Sequence, residues 1–329
     1  MNKISPAFNT MYSKLSIEDI DQMLFMLAEE NEGKTLFYLK DDQLLSNQHE
    51  NMEVIGAKMG AAVRIMKEMF LLIRDTERIP VNDIKNDILP VIEEAAELPH
   101  IYFLLSHVQS KDEYTYRHNI NVGIISVLIG KWLGLGKKDL ADLNLAATLH
   151  DIGKTQVSQH ILTKPGKLNY SEYKDMKRHT IYGYELLKQK PDLPLSIPLT
   201  ALQHHEWENG EGYPLKLKGN NLHLFSKITA IADAFHAMSS ERIYHHALPF
   251  YKVISQMKND AFGKFDPRIL LVFLNKMLET LVGKTVLLTD GQFAKVVMIN
   301  RYDPLNSLVM TKRGIVNLCD EKELHIEKV

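Results

Sequence analysis

Apolar residues recur at three- and four-residue spacing through most of residues 97 to 278, and strand-like alternation is scarce there. That pattern restricts the stretch to an all-α arrangement. Asp112 to Leu133 carries Ile120, Ile124, Val127, Leu128 and Leu133 on one side, and Leu140 to Leu149 continues in the same style. Asn169-Tyr170-Ser171-Glu172 has the spacing of a capping box and predicts a helix running to about Leu187. Leu224 to Met238 reads as a further helix.

The flanks differ. In residues 1 to 96, Ser16 opens a capped helix bearing Ile20, Met23, Leu24 and Leu27, residues 34–40 look like a strand, and Ile55, Met59, Val63, Met66, Phe70 and Ile73 mark a helix from Met52 to Ile73. Pro80 and Pro90 punctuate the stretch beyond Ile73. No chemical motif occurs here, and a mostly helical structural or regulatory region is the expectation. Residues 279–329 change to β-branched runs. Thr285–Thr289, the turn signal Asp290-Gly291, then Ala294–Ile299, Leu308–Thr311, Ile315–Leu318 and Leu324–Glu327 predict a small barrel-like β appendage that leans on the helical domain. The expected class is therefore mainly α, with domains 1–96, 97–278 and 279–329.

Composition narrows the chemistry. A chain of 329 residues with 45% hydrophobic and 24% charged residues suits two or three globular domains. Its formal net charge of −2 gives no reason to expect a nucleic acid polymer as partner. No apolar run suggests a signal peptide or a membrane span, so a cytoplasmic protein is expected. The single cysteine, Cys319, offers neither a disulfide nor a thiolate site, and is expected to pack as a small apolar residue. Oxygen and nitrogen ligands must do any metal work.

The fourteen histidines matter by their clustering. Leu149-His150-Asp151-Ile152-Gly153-Lys154 places an imidazole and a carboxylate side by side at the end of an apolar helix, where both can line one cleft. The pair suits a divalent metal, and the carboxylate has an oxygen for each of two ions. Gly153 is read as the residue that lets the chain turn out of the helix, and Lys154 as a mobile charge nearby. Gln203-His204-His205-Glu206 precedes Gly210-Glu211-Gly212-Tyr213-Pro214, a tight loop in which both glycines are read as allowing positive φ. Asp233 lies in an apolar helix, a costly position unless it is paired or bound to metal. His118 and His179 also sit on helices, and either alone would be ordinary.

Together these pieces resemble the HD-GYP proteins, bacterial phosphodiesterases of cyclic di-GMP within the wider HD phosphohydrolases. The matching text runs Asp112-Glu113-Tyr114-Thr115-Tyr116-Arg117-His118-Asn119, Leu149 to Lys154, Ile161 to Leu168, His204-His205-Glu206, Gly210 to Pro214, Ile228 to Asp233 and Phe265-Asp266-Pro267, over residues 100–275. The resemblance implies an HD-type helical bundle and metal ligands His118, His150, Asp151, His179, His204, His205 and Asp233, with Asp151 bridging two divalent ions, iron or manganese. It implies that Asp151 and Lys154 are catalytic. Lys154, Gly212, Tyr213, Pro214, Arg242 and His245 would meet the substrate. Hydrolysis of cyclic di-GMP to pGpG or GMP, by a hydroxide held between the ions, is the implied reaction.

Three positions depart from the family pattern. Tyr114 stands where some members have a third-metal glutamate, which favours two ions. His236 replaces an aspartate three residues after Asp233. His245 replaces an arginine or lysine, a weaker and pH-dependent phosphate partner. The alternatives are a cyclic di-GMP sensor with little activity, an HD phosphohydrolase of another nucleotide, and a helical protein with no metal. The last would bury many polar atoms unpaired. A homodimer and a signalling partner for the N-terminal region complete the expected partners.

Overall fold

The computed structural model describes residues 41–98, 113–240, 248–300, 307–321 and 323–329. The chain divides into two compact units, Met1–Val54 and Ile55–Val329. Of the first, the main chain is helical from Asp41 onward. The helix expected at Ser16, the strand expected over 34–40, and the substrate residues Arg242 and His245 all lie outside the described residues.

The elements are α1 (Asp41–Thr76), α2 (Leu89–Ala95), α3 (Tyr114–Trp132), α4 (Lys137–Thr148), α5 (Tyr170–Lys177), α6 (His179–Lys188), α7 (Ser196–Gln203), α8 (Leu224–Ser239), α9 (Phe250–Asn259) and α10 (Pro267–Glu279). Short strands β1 (Thr285–Leu288), β2 (Phe293–Met298), β3 (Leu308–Thr311), β4 (Gly314–Asn317) and β5 (Ile326–Lys328) follow. The fold is mainly α, as the helical spacing demands.

Helix α3 is the axis of the bundle. Every residue from His118 to Gly130 is buried, so it is covered on all sides, and α4, α8 and α10 pack against it. Helix α6 packs on α7 and on the 3₁₀ turn Ile152–Gln156 that follows α4, and α7 packs on α4. Ile55, Met59, Val63, Met66, Phe70 and Ile73 on α1 are all buried and belong to the same apolar cluster as Ile120, Ile124, Ile228 and Phe273. Burying each such side chain contributes about 1.5–3 kcal/mol.

Caps fix where the helices begin. The Asn169 side chain accepts from Glu172 N at 2.9 Å while Glu172 Oε2 accepts from Asn169 N at 2.8 Å, the expected capping box. The helix it starts does not run unbroken to Leu187. It stops at Lys177, and α6 restarts at His179. The cause is local: His179 Nδ1 lies 2.8 Å from Met176 O, and Thr180 Oγ1 donates to Lys177 O at 3.0 Å. Side chains occupy carbonyls that a continuous helix would pair with backbone N–H groups. Asp266 caps α10 by accepting from Arg268 N at 3.0 Å, with Pro267 at the first helical position.

The C-terminal strands form one antiparallel sheet in the order β4-β3-β2-β1-β5. It is open rather than barrel-like, since β4 and β5 are its edges among the described residues. The Asp290-Gly291 turn joins β1 to β2, with Gly291 at φ 81°. Val286, Leu288, Ala294 and Val296 point inward to the shared core, and His325 stacks on Tyr251 of α9 at 4.8 Å, so the sheet does lean on the helices. Cys319 corrects the expectation of a packed thiol: it is exposed, in the turn after β4, where its amide bonds Asn317 Oδ1.

Candidate metal centre

Two helix ends and three helices converge on one carboxylate. Helix α4 ends at Thr148, so His150 and Asp151 stand just past its end, on the way into the 3₁₀ turn. His118 comes from α3, His179 from the first residue of α6, His204 and His205 from the end of α7, and Asp233 from α8. His118, His150, Asp151, His179 and His204 are buried, while Asp233 and His205 are partly open.

Asp151 stands at the centre. Its Oδ2 lies 3.4 Å from His150 Nε2 and 3.8 Å from His118 Nε2. Its Oδ1 lies 3.3 Å from His179 Nε2 and 3.8 Å from His204 Nε2. Each carboxylate oxygen thus faces its own pair of imidazoles. Asp233 makes a second link: Oδ1 is 3.1 Å from His118 Nε2, and Oδ2 is 3.9 Å from His205 Nδ1. Ligand atoms of His118, His150 and Asp151 lie within 4.8 Å of one another, as do those of His179, His204 and His205.

The ring tautomers follow from the other face of each imidazole. His150 Nδ1 is 2.7 Å from Ala147 O, His179 Nδ1 is 2.8 Å from Met176 O, and His204 Nδ1 is 3.0 Å from Ala201 O. A carbonyl only accepts, so each Nδ1 carries the proton and donates it. In the neutral ring, Nε2 then presents a lone pair toward Asp151.

Electrostatics act in the same direction. Burial pushes His179 down to about 4 and His205 down to about 3, against the pull of Asp151 and Asp233. Burial and the neighbouring imidazoles hold His204 well below its usual range, and burial lowers His118. His150 differs: burial would lower it, but Asp151 outweighs burial and raises it. Burial would raise the Asp151 carboxyl, yet Lys154 and His150 hold it well below the usual range. His118 does the same for Asp233. At neutral pH most of these imidazoles are neutral and both carboxylates are charged, the states that bind metal.

Two atoms test whether the residues fit an ion. His150 Nε2 and Asp151 Oδ1 are buried with no hydrogen-bond partner. A buried, unpartnered acceptor costs about 1–3 kcal/mol, and an ionised carboxylate oxygen costs more. A divalent cation at the first set would satisfy His150 Nε2, and one at the second would satisfy Asp151 Oδ1, each through nitrogen and oxygen donors of the type borderline metals take. The residues fit.

Close packing makes the geometry possible. A Cβ on Gly153 would sit 1.9 Å from His179 O and 2.4 Å from Gly183 N. Gly153 is therefore needed because α6 passes directly over the turn, not because the chain bends there as expected. Gly212 is corrected in the same way: its φ is not positive, and a Cβ would lie 2.5 Å from His205 O and from Trp207 N. Gly210 does adopt φ 81°.

The rim carries residues that sequence reasoning left without a role. Buried Glu206 accepts from Leu215 N at 2.6 Å and Leu217 N at 3.0 Å, pinning the loop. Its place directly after the histidine pair was the signal available. Tyr213 N donates to His205 O at 3.1 Å, and the Tyr213 ring stacks on His205 at 4.7 Å. Lys177 lies over both Tyr213 (5.6 Å) and Tyr173 (5.0 Å). Pro214 follows on the partly open edge. Lys154 Nζ donates to Asp151 Oδ2 and is itself partly exposed.

Comparisons with known proteins point to one family. The chain is 31% identical over 242 residues to a cyclic di-GMP phosphodiesterase of Thermotoga maritima, covering 68% of this chain and 62% of that protein. It is 37% identical over 161 residues to 3'3'-cGAMP-specific phosphodiesterase 3 of Vibrio cholerae, covering 49% of this chain and 35% of that protein. The chain thus spans less than two thirds of these curated relatives. Among solved structures, Bd1817, an HDG"Y"P protein from Bdellovibrio bacteriovorus, shares the fold with a TM-score of 0.52 at 16% identity, over 73% of this chain and 80% of that one. The HD domain model matches residues 104–269, half of the chain, and those residues supply every side chain grouped around Asp151: the chain belongs to the HD domain family.

Proposed function

We propose that this chain is a metal-dependent phosphodiesterase that hydrolyses cyclic di-GMP to pGpG or GMP. The observation that carries the reading is Asp151 lying between two imidazole pairs, one facing each oxygen. His118, His150 and Oδ2 of Asp151 would hold one divalent ion; His179, His204, His205 and Oδ1 the other, with Asp233 reaching both sets. Iron or manganese suits imidazole and carboxylate donors without thiolate. Ions held in this way activate water for attack on phosphorus and neutralise charge on the phosphoryl oxygens.

The chain's own groups do the rest. Lys154, paired with Asp151 and partly exposed, would meet a phosphoryl oxygen and stabilise charge developing there. Gly212, Tyr213 and Pro214 would border the substrate, as the sequence resemblance implies. Arg242 and His245 are assigned to the phosphates on the sequence resemblance. Residues 97–278 would carry this activity, with 1–96 as a regulatory input and 279–329 as an appendage. No described helix is long and apolar enough to cross a membrane, and a cytoplasmic homodimer is part of the reading.

Anaerobically purified protein loaded with iron or manganese, incubated with cyclic di-GMP and followed by HPLC, tests it. Linear product from wild type and none from Asp151→Ala supports the reading; no turnover at confirmed occupancy sinks it. The similar Vibrio protein named for 3'3'-cGAMP favours one second reading, in which cyclic GMP-AMP is the better substrate. The same assay with both dinucleotides separates the two.

A further inference from the structure

Of the four imidazoles whose Nε2 faces Asp151, three are oriented by a main-chain carbonyl. His118 is not. Its Nδ1 lies 2.9 Å from Nδ1 of His236, and both rings are buried. His236 Nε2 in turn lies 2.8 Å from Asn121 Nδ2 and 3.1 Å from Ser240 Oγ. Two ring nitrogens at that separation share one proton, so one ring donates and the other accepts. A carbonyl fixes a tautomer once; this pair works in either direction.

With the amide oriented as it is, Asn121 Nδ2 donates to His236 Nε2. The neutral His236 ring then carries its proton on Nδ1 and donates to His118 Nδ1. His118 must carry its own proton on Nε2, donated to Asp233 Oδ1 at 3.1 Å. That tautomer has no lone pair for an ion. The opposite arrangement has one: His118 Nδ1–H donates to His236 Nδ1, and His236 Nε2–H donates to Ser240 Oγ or to Asn121 Oδ1 after a half-turn of the amide. Asn121 Oδ1 is buried without a hydrogen-bond partner, as an acceptor held for that turn would be. Each ring keeps one proton and stays neutral in both arrangements, so nothing is gained from or lost to solvent.

We propose that His236 is a positioning residue of the metal centre, switching His118 between a tautomer that bonds Asp233 and one that offers Nε2 to an ion. Asn121 and Ser240 supply the donor and acceptor groups that make both directions available. The inference rests on the metal-binding reading and on no particular substrate.

The test uses the full chain with ring-¹⁵N-labelled histidine, and Zn²⁺ as a diamagnetic probe. Two-bond nitrogen–proton spectra read the tautomers, and chelator competition reads affinity. Zinc should move the His118 proton from Nε2 to Nδ1 and the His236 proton from Nδ1 to Nε2. His236→Phe keeps the ring volume but removes the acceptor, and should weaken zinc at this site by about 10- to 100-fold. His236→Asn sets an amide where Nδ1 lay, and should recover affinity to within a few-fold. Circular dichroism checks folding; if the Phe variant is unfolded, the Asn variant and the wild-type tautomers decide alone. Wild-type affinity in folded His236→Phe, or His118 still protonated at Nε2 with zinc bound, overturns the proposal. Wild type that takes up no zinc overturns it together with the metal reading, and so is distinguishable from failure of the switch alone.

Discussion

The floor of the site and its rim are held in different ways. On the floor, imidazoles are fixed by carbonyls of their own chain, at Ala147, Met176 and Ala201, and the backbones of α6 and the Gly153 turn touch. At the rim, the loop is held by the Glu206 carboxylate at Leu215 and Leu217 and by single backbone bonds such as Tyr213 N to His205 O, while Lys177 lies over the Tyr213 ring face. A buried ligand set must be satisfied by fixed groups because water cannot reach it. A rim that admits a substrate is wet, and can be held by fewer and softer contacts. Floor substitutions should therefore change stability and metal content together, and rim substitutions should change KM with metal content intact.

The largest effect is expected at Gly153. With a Cβ 1.9 Å from His179 O, Gly153→Ala must push α6 off the turn. It should cost about 3 kcal/mol, or roughly 4–5 °C in Tm for a chain of this length, and lower ion content, as calorimetry and metal analysis would read. A silent Gly153→Ala would break the claim that the floor is close-packed.

Acid should act on the floor with comparable size. His179 at about 4 and His205 at about 3 are depressed from an unfolded value near 6.5. The unfolded chain binds more protons between those values, so their stabilisation is full above about 6.5 and lost as pH falls toward 4. His150, raised by Asp151, has the opposite sign, but it stands against four lowered imidazoles. Metal-free protein should lose on the order of 3 kcal/mol between pH 7 and pH 4, seen in urea unfolding at each pH. Stability that is flat or rising over that range would contradict the buried-neutral assignment.

Glu206→Gln tests the rim. The amide accepts from one of Leu215 and Leu217 and opposes the other, at about 1–3 kcal/mol for the loop. KM should rise several-fold while ion content holds; a loss of ions would merge rim and floor. The smallest effect belongs to Lys177→Ala, which removes cation–π contacts worth about 0.5–1 kcal/mol and should raise KM about two- to fivefold.

The same contrast explains what the sequence revealed. Asp233 was conspicuous because it interrupts an apolar helix, where a polar group needs a reason, and His150-Asp151 because the pair closes an apolar helix shortly before Gly153 and Lys154. The Met52 to Ile73 part of helix α1 was legible from six apolar residues at helical spacing, while its start at Asp41 was not. The break at Arg178 was not, because side chains of His179 and Thr180 cause it, and propensity does not see them. Gly153 and Gly212 were noticed for the wrong reason: turn chemistry is local, whereas the backbones that exclude their Cβ atoms come from elsewhere in the chain or from across the loop. Glu206, Lys177 and Tyr173 are ordinary residues for an exposed edge, and only their neighbours give them a role. His236 stood out as a departure from the family pattern, but its pairing with His118 needed three dimensions.

The central claim is that one carboxylate, Asp151, serves two ions. Metal analysis of anaerobically purified wild type, His150→Ala and Asp151→Ala, each checked for folding, tests it most directly. The account predicts about two ions per chain in wild type, about one in His150→Ala and near none in Asp151→Ala. Two ions retained without the Asp151 carboxylate, or a single ion in wild type under saturating metal, would contradict it.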